Sequence, residues 1–441
     1  MLVKHLRGLV AFGAVLALFA GPALADPAED RTQRLLHDWY GLVLQLVRHT
    51  PTYSPPVASR SFAYLGVGAY EALASGRGEL ATLSGQLNGL DPVPERLRGE
   101  TYDDAVILHA VLAQGVGDFF GNTGPMGQRA MRVAGERFGE AALAGVEEAV
   151  AARSLAYGEA LAAHILEWSE KDGALPIVNM GFPFEHAVGT APGSWVPTSL
   201  VRQQQFPLLP HWGETRPFAM PHGASCPLPP PPAYSEDPDS DFYREALEVY
   251  EVDRDLTDEQ RSIARFWSDD PMLSPTPPGH WIAIALQIFE RDDPGLAFRA
   301  ETLARLGIAM ADSFIGCWAS KYEYDLLRPV TYIRRHIDPA WQPLLITPPF
   351  PEYPSGHSTQ SGAAAAVLTA AFGKAFAFDD ATHERDGLPV RHYASFAEAA
   401  EEAALSRLYG GIHFRAAIER GLEQGRCIGD HAVALTMMAR P

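Results

Sequence analysis

Lysine, arginine, serine and histidine recur in three short stretches of the C-terminal third. Lys321 with Arg328-Pro329 reads as K-x6-R-P, Pro354 to His357 as P-S-G-H, and Ser406-Arg407 with His413 as S-R-x5-H. Together they supply three cations, two imidazoles, two serine hydroxyls and a glycine, a set suited to a tetrahedral oxyanion. Arginine offers forked donors to oxygen atoms, lysine adds a point charge, and the first N–H groups of a helix point at an anion. One imidazole can then act as acid or base while the other bonds directly to the central atom.

The elements that must position these groups are helices. Pro294 to about Tyr324 carries Leu296, Leu303, Leu306, Met310, Phe314 and Cys317 on one stripe, with Lys321 at its end. Pro329 biases Arg328 away from helical geometry, so the helix breaks there and Arg328 is released to turn inward. The stretch Phe350 to His357 opens a helix capped by Ser355, running to about Phe372 and ending at Gly373. Ser355 and Gly356 are thereby candidate oxyanion contacts, Gly356 because it lets backbone approach a ligand. Ser395 and Glu398 form a capping-box pattern for a helix that ends at Gly410-Gly411, with Ser406 and Arg407 in its last turn. A final helix carries Gly421, Gly425 and Gly429 every four residues, a spacing that points to close helix packing.

Upstream, apolar residues recur at helical spacing over Thr32 to Thr50, and Ser54-Pro55-Pro56 starts a helix to about Ser75 whose small residues admit close neighbours. Tyr102 to Phe120, Ala130 to Ala151 and Arg153 to Lys171 read as further helices, and strand signals are few and short. Residues 174–240 are rich in Pro, Gly and aromatics (Phe182, Phe184, Trp195, Phe206, Trp212, Phe218), too many rings for a solvated linker. We read them as an ordered wrap contributing to an active-site rim. Helical periodicity resumes near Asp258, pauses at Ser274 to Pro278 and restarts at Gly279-His280-Trp281. The expected fold class is all-α: a leader (1–25), an N-terminal helical bundle (26–173), a wrapping segment (174–257) and an oxyanion-site bundle (258–441).

The chain has 441 residues, 47% hydrophobic and 20% charged, with a formal charge of −19. Such a balance is globular, and an acidic surface argues against nucleic acid and anionic membrane as partners. Residues 1–25 read as a secretory signal, with Lys4 and Arg7, an apolar run from Leu9 to Ala20 and Ala23-Leu24-Ala25 as cleavage site. That predicts a secreted or periplasmic protein with no membrane span after cleavage. Three cysteines, Cys226, Cys317 and Cys427, allow one disulfide at most; buried free thiols are the expectation. His280 is a further candidate for lining the pocket. Asp253, Asp255, Asp258 and Glu259 lack the glycine turn and terminal glutamate of a calcium loop and read as a solvated acidic face.

The three stretches, in this order and at these spacings, resemble the vanadium-dependent haloperoxidases and the acid phosphatases of the type 2 phosphatidic acid phosphatase superfamily. Ser59-Arg60 and Ala69 to Leu73 add a weaker likeness to the first helix of secreted bacterial members. The resemblance implies an all-α fold built around two four-helix bundles. It implies that Lys321, Arg328, Ser355, Gly356 and Arg407 hold the oxygens of vanadate, with phosphate able to occupy the same site. His413 would be the vanadium ligand in a haloperoxidase or the nucleophile in a phosphatase; His357 would be the acid/base, and Lys321 would polarise bound peroxide. Trp318 and Phe350 resemble aromatic residues of the halide pocket in fungal chloroperoxidases, where an apolar wall would desolvate a halide.

The family pattern places an aspartate four residues after the second histidine, where this chain has Ala417. A backbone carbonyl or Glu419 would then have to orient the imidazole. The leading expectation is a haloperoxidase that uses vanadate and hydrogen peroxide to oxidise halide to hypohalous acid, which passes to a small organic acceptor. A soluble acid phosphatase with His413 as nucleophile and a non-catalytic oxyanion-binding helical protein are the alternatives.

Overall fold

A computed structural model describes residues 27–178, 186–199 and 205–438. The leader, Phe182 and Phe184 lie outside the described residues. The architecture is helical: α1 (Pro27–Arg48), α2 (Pro55–Ala74), α3 (Asp104–Phe120), α4 (Pro125–Leu143), α5 (Glu148–Glu170), a short α6 (Leu175–Val178), α7 (Asp241–Arg254), α8 (Asp258–Phe266), α9 (Thr276–Asp292), α10 (Leu296–Tyr324), α11 (Pro329–His336), α12 (Gly356–Phe372), α13 (Phe396–Tyr409) and α14 (Arg415–Val433). Among the described residues the strands are β1 (Phe378–Asp380) and β2 (Arg391–Tyr393), paired antiparallel. None of the described helices is long and apolar enough to cross a membrane.

α10 is the central post, buried along nearly its whole length from Leu296 to Lys321. On one side it meets α2 through small residues. A Cβ on Gly66 would stand 3.0 Å from the Cα of Ala304, and one on Gly307 would stand 2.9 Å from the carbonyl of Phe62. On the other side α12 packs against α14 through the four-residue glycine ladder. A Cβ on Gly425 would lie 2.0 Å from the carbonyl of Thr359, on Gly429 2.9 Å from that of Ala363, and on Gly421 2.9 Å from that of Ser355. The glycines are thus what lets α14 reach the N-terminus of α12.

Two boundaries differ from the sequence reading. The break predicted near residue 152 falls at Ala144 to Glu147, where Gly145 takes φ +76° and Glu147 caps α5 with its side chain. The wrap is shorter than 174–257, because Asp241 to Arg254 is helical, with Ser240 as N-cap. Charged residues dominate this helix, and the apolar face they obscure is carried by Phe242, Ala246 and Val249.

The described part of the wrap packs its aromatics against the body. Trp195, Trp212 and Phe218 are buried. Buried Asp312 of α10 accepts from the N–H groups of Phe218 (2.6 Å), Ala219 (2.8 Å) and Met220 (2.8 Å). The thiols do not all stay free: Cys226 in the wrap is bonded to Cys427 on α14, and Cys317 alone is free and buried. A sequence separation of 201 residues hides this partnership until the fold brings wrap and helix together.

Candidate active site

α10 stops before Arg328, at Tyr324, where Asp325 takes the left-handed conformation (φ 44°) as its C-cap, and Pro329 opens α11. Arg328 takes extended geometry (φ −82°, ψ 154°) as N-cap of α11 and is fully buried. Its Nε donates to the carbonyl of Phe350 (2.9 Å) and its Nη1 to the carbonyl of Ile412 (2.8 Å) and to Nε2 of His413 (3.1 Å). Its Nη2 is buried without a partner.

That contact fixes the His413 tautomer. Guanidinium only donates, so Nε2 must carry the lone pair and Nδ1 the hydrogen. Nδ1 donates to Oε1 of Glu352 at 2.8 Å, and the same oxygen accepts from the N–H of Phe414 at 2.8 Å. Glu352 therefore supplies the carboxylate that Ala417 lacks, and neither proposed substitute does. Glu419 sits on the surface facing Arg415 at 3.7 Å, and the carbonyl of Ala417 accepts from the N–H of Ser355 (3.0 Å). Sequence reasoning missed Glu352, although it is the only acid in residues 339–378 and lies five residues before His357.

α12 begins at Gly356 because Ser355 caps it, its hydroxyl accepting from the N–H of Ser358 at 3.2 Å. The N–H groups of Gly356 and His357 belong to the first turn, which a helix leaves without internal partners. The glycine is not required by ligand approach on its Cβ side, where a Cβ would meet the rings of Trp318 at 3.6 Å and Phe314 at 3.7 Å. Arg407, in the last turn of α13, donates through Nη2 to the carbonyl of Trp267 (2.7 Å) and through Nε to the hydroxyl of Ser406 (3.0 Å).

Lys321 is placed differently from the sequence expectation. Its ammonium is buried and donates to the carbonyls of Pro351 (2.8 Å), Glu352 (3.0 Å) and Pro354. All three hydrogens are spent, so Lys321 locks the loop that carries Glu352 and Ser355 and offers the site its charge. That charge stands 5.1 Å from the Phe350 ring centroid, and Arg328 covers the same ring at 4.9 Å. Trp318 and Phe350 are in contact, 5.0 Å between centroids, and the Trp318 indole donates to the carbonyl of Leu208 in the wrap (3.1 Å). The two aromatics thus wall the cation cluster, and the wrap holds the wall.

His357 is 18% exposed in its side chain, the most open member of the set. Its Nε2 faces Oδ2 of Asp269 at 3.8 Å. His280 does not line this pocket. It lies one layer behind, fully buried, with Nδ1 2.9 Å from Asp269 Oδ1 and Nε2 2.8 Å from Asp380 Oδ2.

Electrostatics describe a site short of negative charge. Burial pulls Lys321 down to about 7 and Arg328 down to about 10, with Glu352 opposing the shift of Arg328. Arg407 is likewise lowered to about 10 by burial, against Asp269 and Asp270. His413 is driven well below the usual imidazole range by burial and then by Arg328, Lys321 and Arg407, and His357 by burial and then Arg407. Glu352 is pushed up to about 8 by burial, with Arg328 and Lys321 pulling it back. Buried cations with depressed pKa values, an orphaned guanidinium nitrogen and an imidazole lone pair aimed into the cation cluster fit an oxyanion ligand such as vanadate.

The comparisons point to one family. Residues 301–440 match the family model of the VCPO second helical-bundle domain. A curated relative, vanadium chloroperoxidase of Curvularia inaequalis, is 26% identical over a segment that spans 26% of this chain and only 27% of that protein. A solved structure described as the first bacterial vanadium-dependent iodoperoxidase is 39% identical, covers 92% of this chain and 97% of its own, and superposes with a TM-score of 0.83. A holo-type bacterial vanadium-dependent chloroperoxidase shares the fold at 16% identity, with 88% and 92% coverage and a TM-score of 0.67. With near full-length similarity of that order, and a cation cluster built on the same C-terminal stretches, the chain belongs to the vanadium-dependent haloperoxidases.

Proposed function

We propose that this protein is an exported haloperoxidase that binds vanadate at His413 and uses hydrogen peroxide to oxidise iodide. The observation that carries the reading is the His413 imidazole, held between Arg328 and Glu352 so that its Nε2 lone pair faces a buried cation cluster. When bound, vanadate supplies a Lewis acid that activates peroxide toward halide attack.

The residues of the chain do the rest. His413 binds through Nε2, and Glu352 keeps the hydrogen on Nδ1. Arg328, Arg407 and the first turn of α12 neutralise oxygen charge, Arg328 through its unpartnered Nη2. The Ser355 hydroxyl, already accepting from Ser358, donates its own hydrogen. Lys321 raises the local potential while holding the loop in register. His357, neutral in this environment and nearest to solvent, exchanges protons with peroxide. Trp318 and Phe350 strip water from the approaching halide.

Iodide is favoured by the 39% identical neighbour described as an iodoperoxidase. Export is supported by the composition of residues 1–25 and by the Cys226 to Cys427 disulfide, a bond that persists in oxidising compartments. The test is vanadate-dependent iodide oxidation by the purified protein and its loss in His413→Ala. Activity retained in that variant would overturn the assignment of His413.

A further inference from the structure

We propose that Asp269, His280 and His383 form a second, buried site for a divalent transition-metal cation, zinc in the first instance, behind the oxyanion pocket. The three side chains come from separate elements: the turn between α8 and α9, the first turns of α9, and the connection from β1 to β2. All are buried, and their ligand-capable atoms lie within 4.8 Å of one another. Asp269 Oδ1 is 2.9 Å from His280 Nδ1 and 3.6 Å from His383 Nε2.

The outer contacts decide which atoms face inward. His280 Nε2 bonds Asp380 Oδ2 at 2.8 Å, and His383 Nδ1 bonds Asp386 Oδ2 at 3.1 Å. Asp386 takes the N–H of His383 and leaves its Nε2 inward as a lone pair, while His280 lies between two carboxylates and turns a Nδ1 lone pair inward when a metal replaces its inner proton and Asp380 keeps the outer one. His383 Nε2 and Asp269 Oδ2 are both buried and without a hydrogen-bond partner. His383 Nε2 and Asp269 Oδ1, two acceptors 3.6 Å apart in a dry pocket, repel unless a cation lies between them. Ligand atoms held by metal bonds of about 2.0–2.2 Å stand roughly 3–4 Å apart, a range that includes this separation.

Charge and surroundings agree. Asp269, Asp380 and Asp386 converge on two imidazoles, and the guanidinium bonded among them is Arg48, on Asp386. Arg407 lies near enough to feel Asp269 and Asp270, which leaves the cluster net negative. The rings of Phe266 and Trp267 lie on His280, and Phe266 also on His383, so water is kept out. Two imidazoles and a carboxylate suit zinc. Among the described residues, a second metal-like trio, Cys226, Cys427 and His431, has its sulfurs bonded to each other.

The competing occupant is a proton, with His280 an imidazolium between two carboxylates. The test is metal content of the protein purified without metal-affinity steps, followed by cobalt(II) titration of chelator-stripped protein, read from the visible bands of nitrogen- and oxygen-bound cobalt. We expect one equivalent per chain, loss of the cobalt spectrum in His383→Ala, and an affinity about 10–100-fold weaker in Asp386→Asn. Substitution of the exposed His392 should leave binding unchanged. Because the readout needs neither vanadate nor turnover, it stands apart from the haloperoxidase reading. Absence of retained metal together with no cobalt spectrum in the wild-type chain would overturn the site and leave the proton in place; so would a spectrum unaffected by both substitutions. Should His383→Ala fail to fold, the wild-type metal content and Asp386→Asn still decide.

Discussion

Nδ1 of His413 lies 2.8 Å from Oε1 of Glu352, a carboxylate contributed from 61 residues upstream, whereas Ala417 in the first turn of α14 offers no carboxylate. Glu352→Gln keeps the shape and removes the ionisable carboxyl. We expect the vanadate concentration needed to restore activity to rise about 10–100-fold, with the fold intact by circular dichroism. Glu419→Gln, on the surface, should change nothing. Unaltered vanadate affinity in Glu352→Gln would show that the carboxylate does not tune His413.

Anion binding should draw protons onto the protein. Lys321, lowered to about 7 from 10.5, carries a charge that costs stability below about pH 7, and this cost fades as pH rises toward 10.5. Glu352, raised to about 8 from 4.5, holds its proton with a stabilising effect at low pH that is lost as pH rises through about 8. A bound phosphate or vanadate raises both values, so both groups gain protons around neutral pH. Calorimetric titration with phosphate in buffers of different ionisation enthalpy should report net uptake. The thermal stabilisation, about 2.7 kcal/mol at a hundredfold excess over the dissociation constant, should be larger in mildly acidic than in alkaline buffer. Net proton release would contradict this charge balance.

The Cys226 to Cys427 bond ties the wrap to α14, beneath the site. Replacing both cysteines by serine should lower stability by about 2–5 kcal/mol, read from the denaturant midpoint. Thiol titration of the unfolded, unreduced chain should find Cys317 alone. Three reactive thiols would contradict the pairing.

Gly425→Ala tests the seating of α14. Its Cβ would meet the carbonyl of Thr359 at 2.0 Å, a backbone atom that cannot swing away. Overpacking of this kind costs about 1–3 kcal/mol, and the shift should also loosen the Ser355 end of α12. Chemical denaturation together with vanadate titration measures both, and a neutral result would mean the helices sit further apart.

Much of this arrangement is legible in the sequence because its signals are local. Pro329 keeps Arg328 extended at the start of α11, although α10 itself stops earlier, on a left-handed Asp325; Ser355 and Ser395 cap their helices, and the glycine ladder announces close packing whatever its partner. What stays hidden depends on residues distant in the chain. Glu352 reads as an ordinary loop acid until Lys321 pins its loop against His413. Lys321 reads as a free cation until three carbonyls of that loop are seen to take its hydrogens. Asp269 and His383 show no pattern at all, since two turns and a strand connection converge only in the fold. The disulfide is hidden for the same reason, its partners meeting only when the wrap folds back onto α14.

Vanadate-dependent halide oxidation at His413 is best tested on vanadate-depleted protein, by assaying peroxide-dependent iodide oxidation with and without added orthovanadate, alongside phosphomonoester hydrolysis on the same sample. Iodide oxidation should appear only with vanadate and peroxide, be suppressed by phosphate, and be lost in His413→Ala. Phosphomonoester hydrolysis inhibited by vanadate, with no iodide oxidation under any loading, would contradict the haloperoxidase reading.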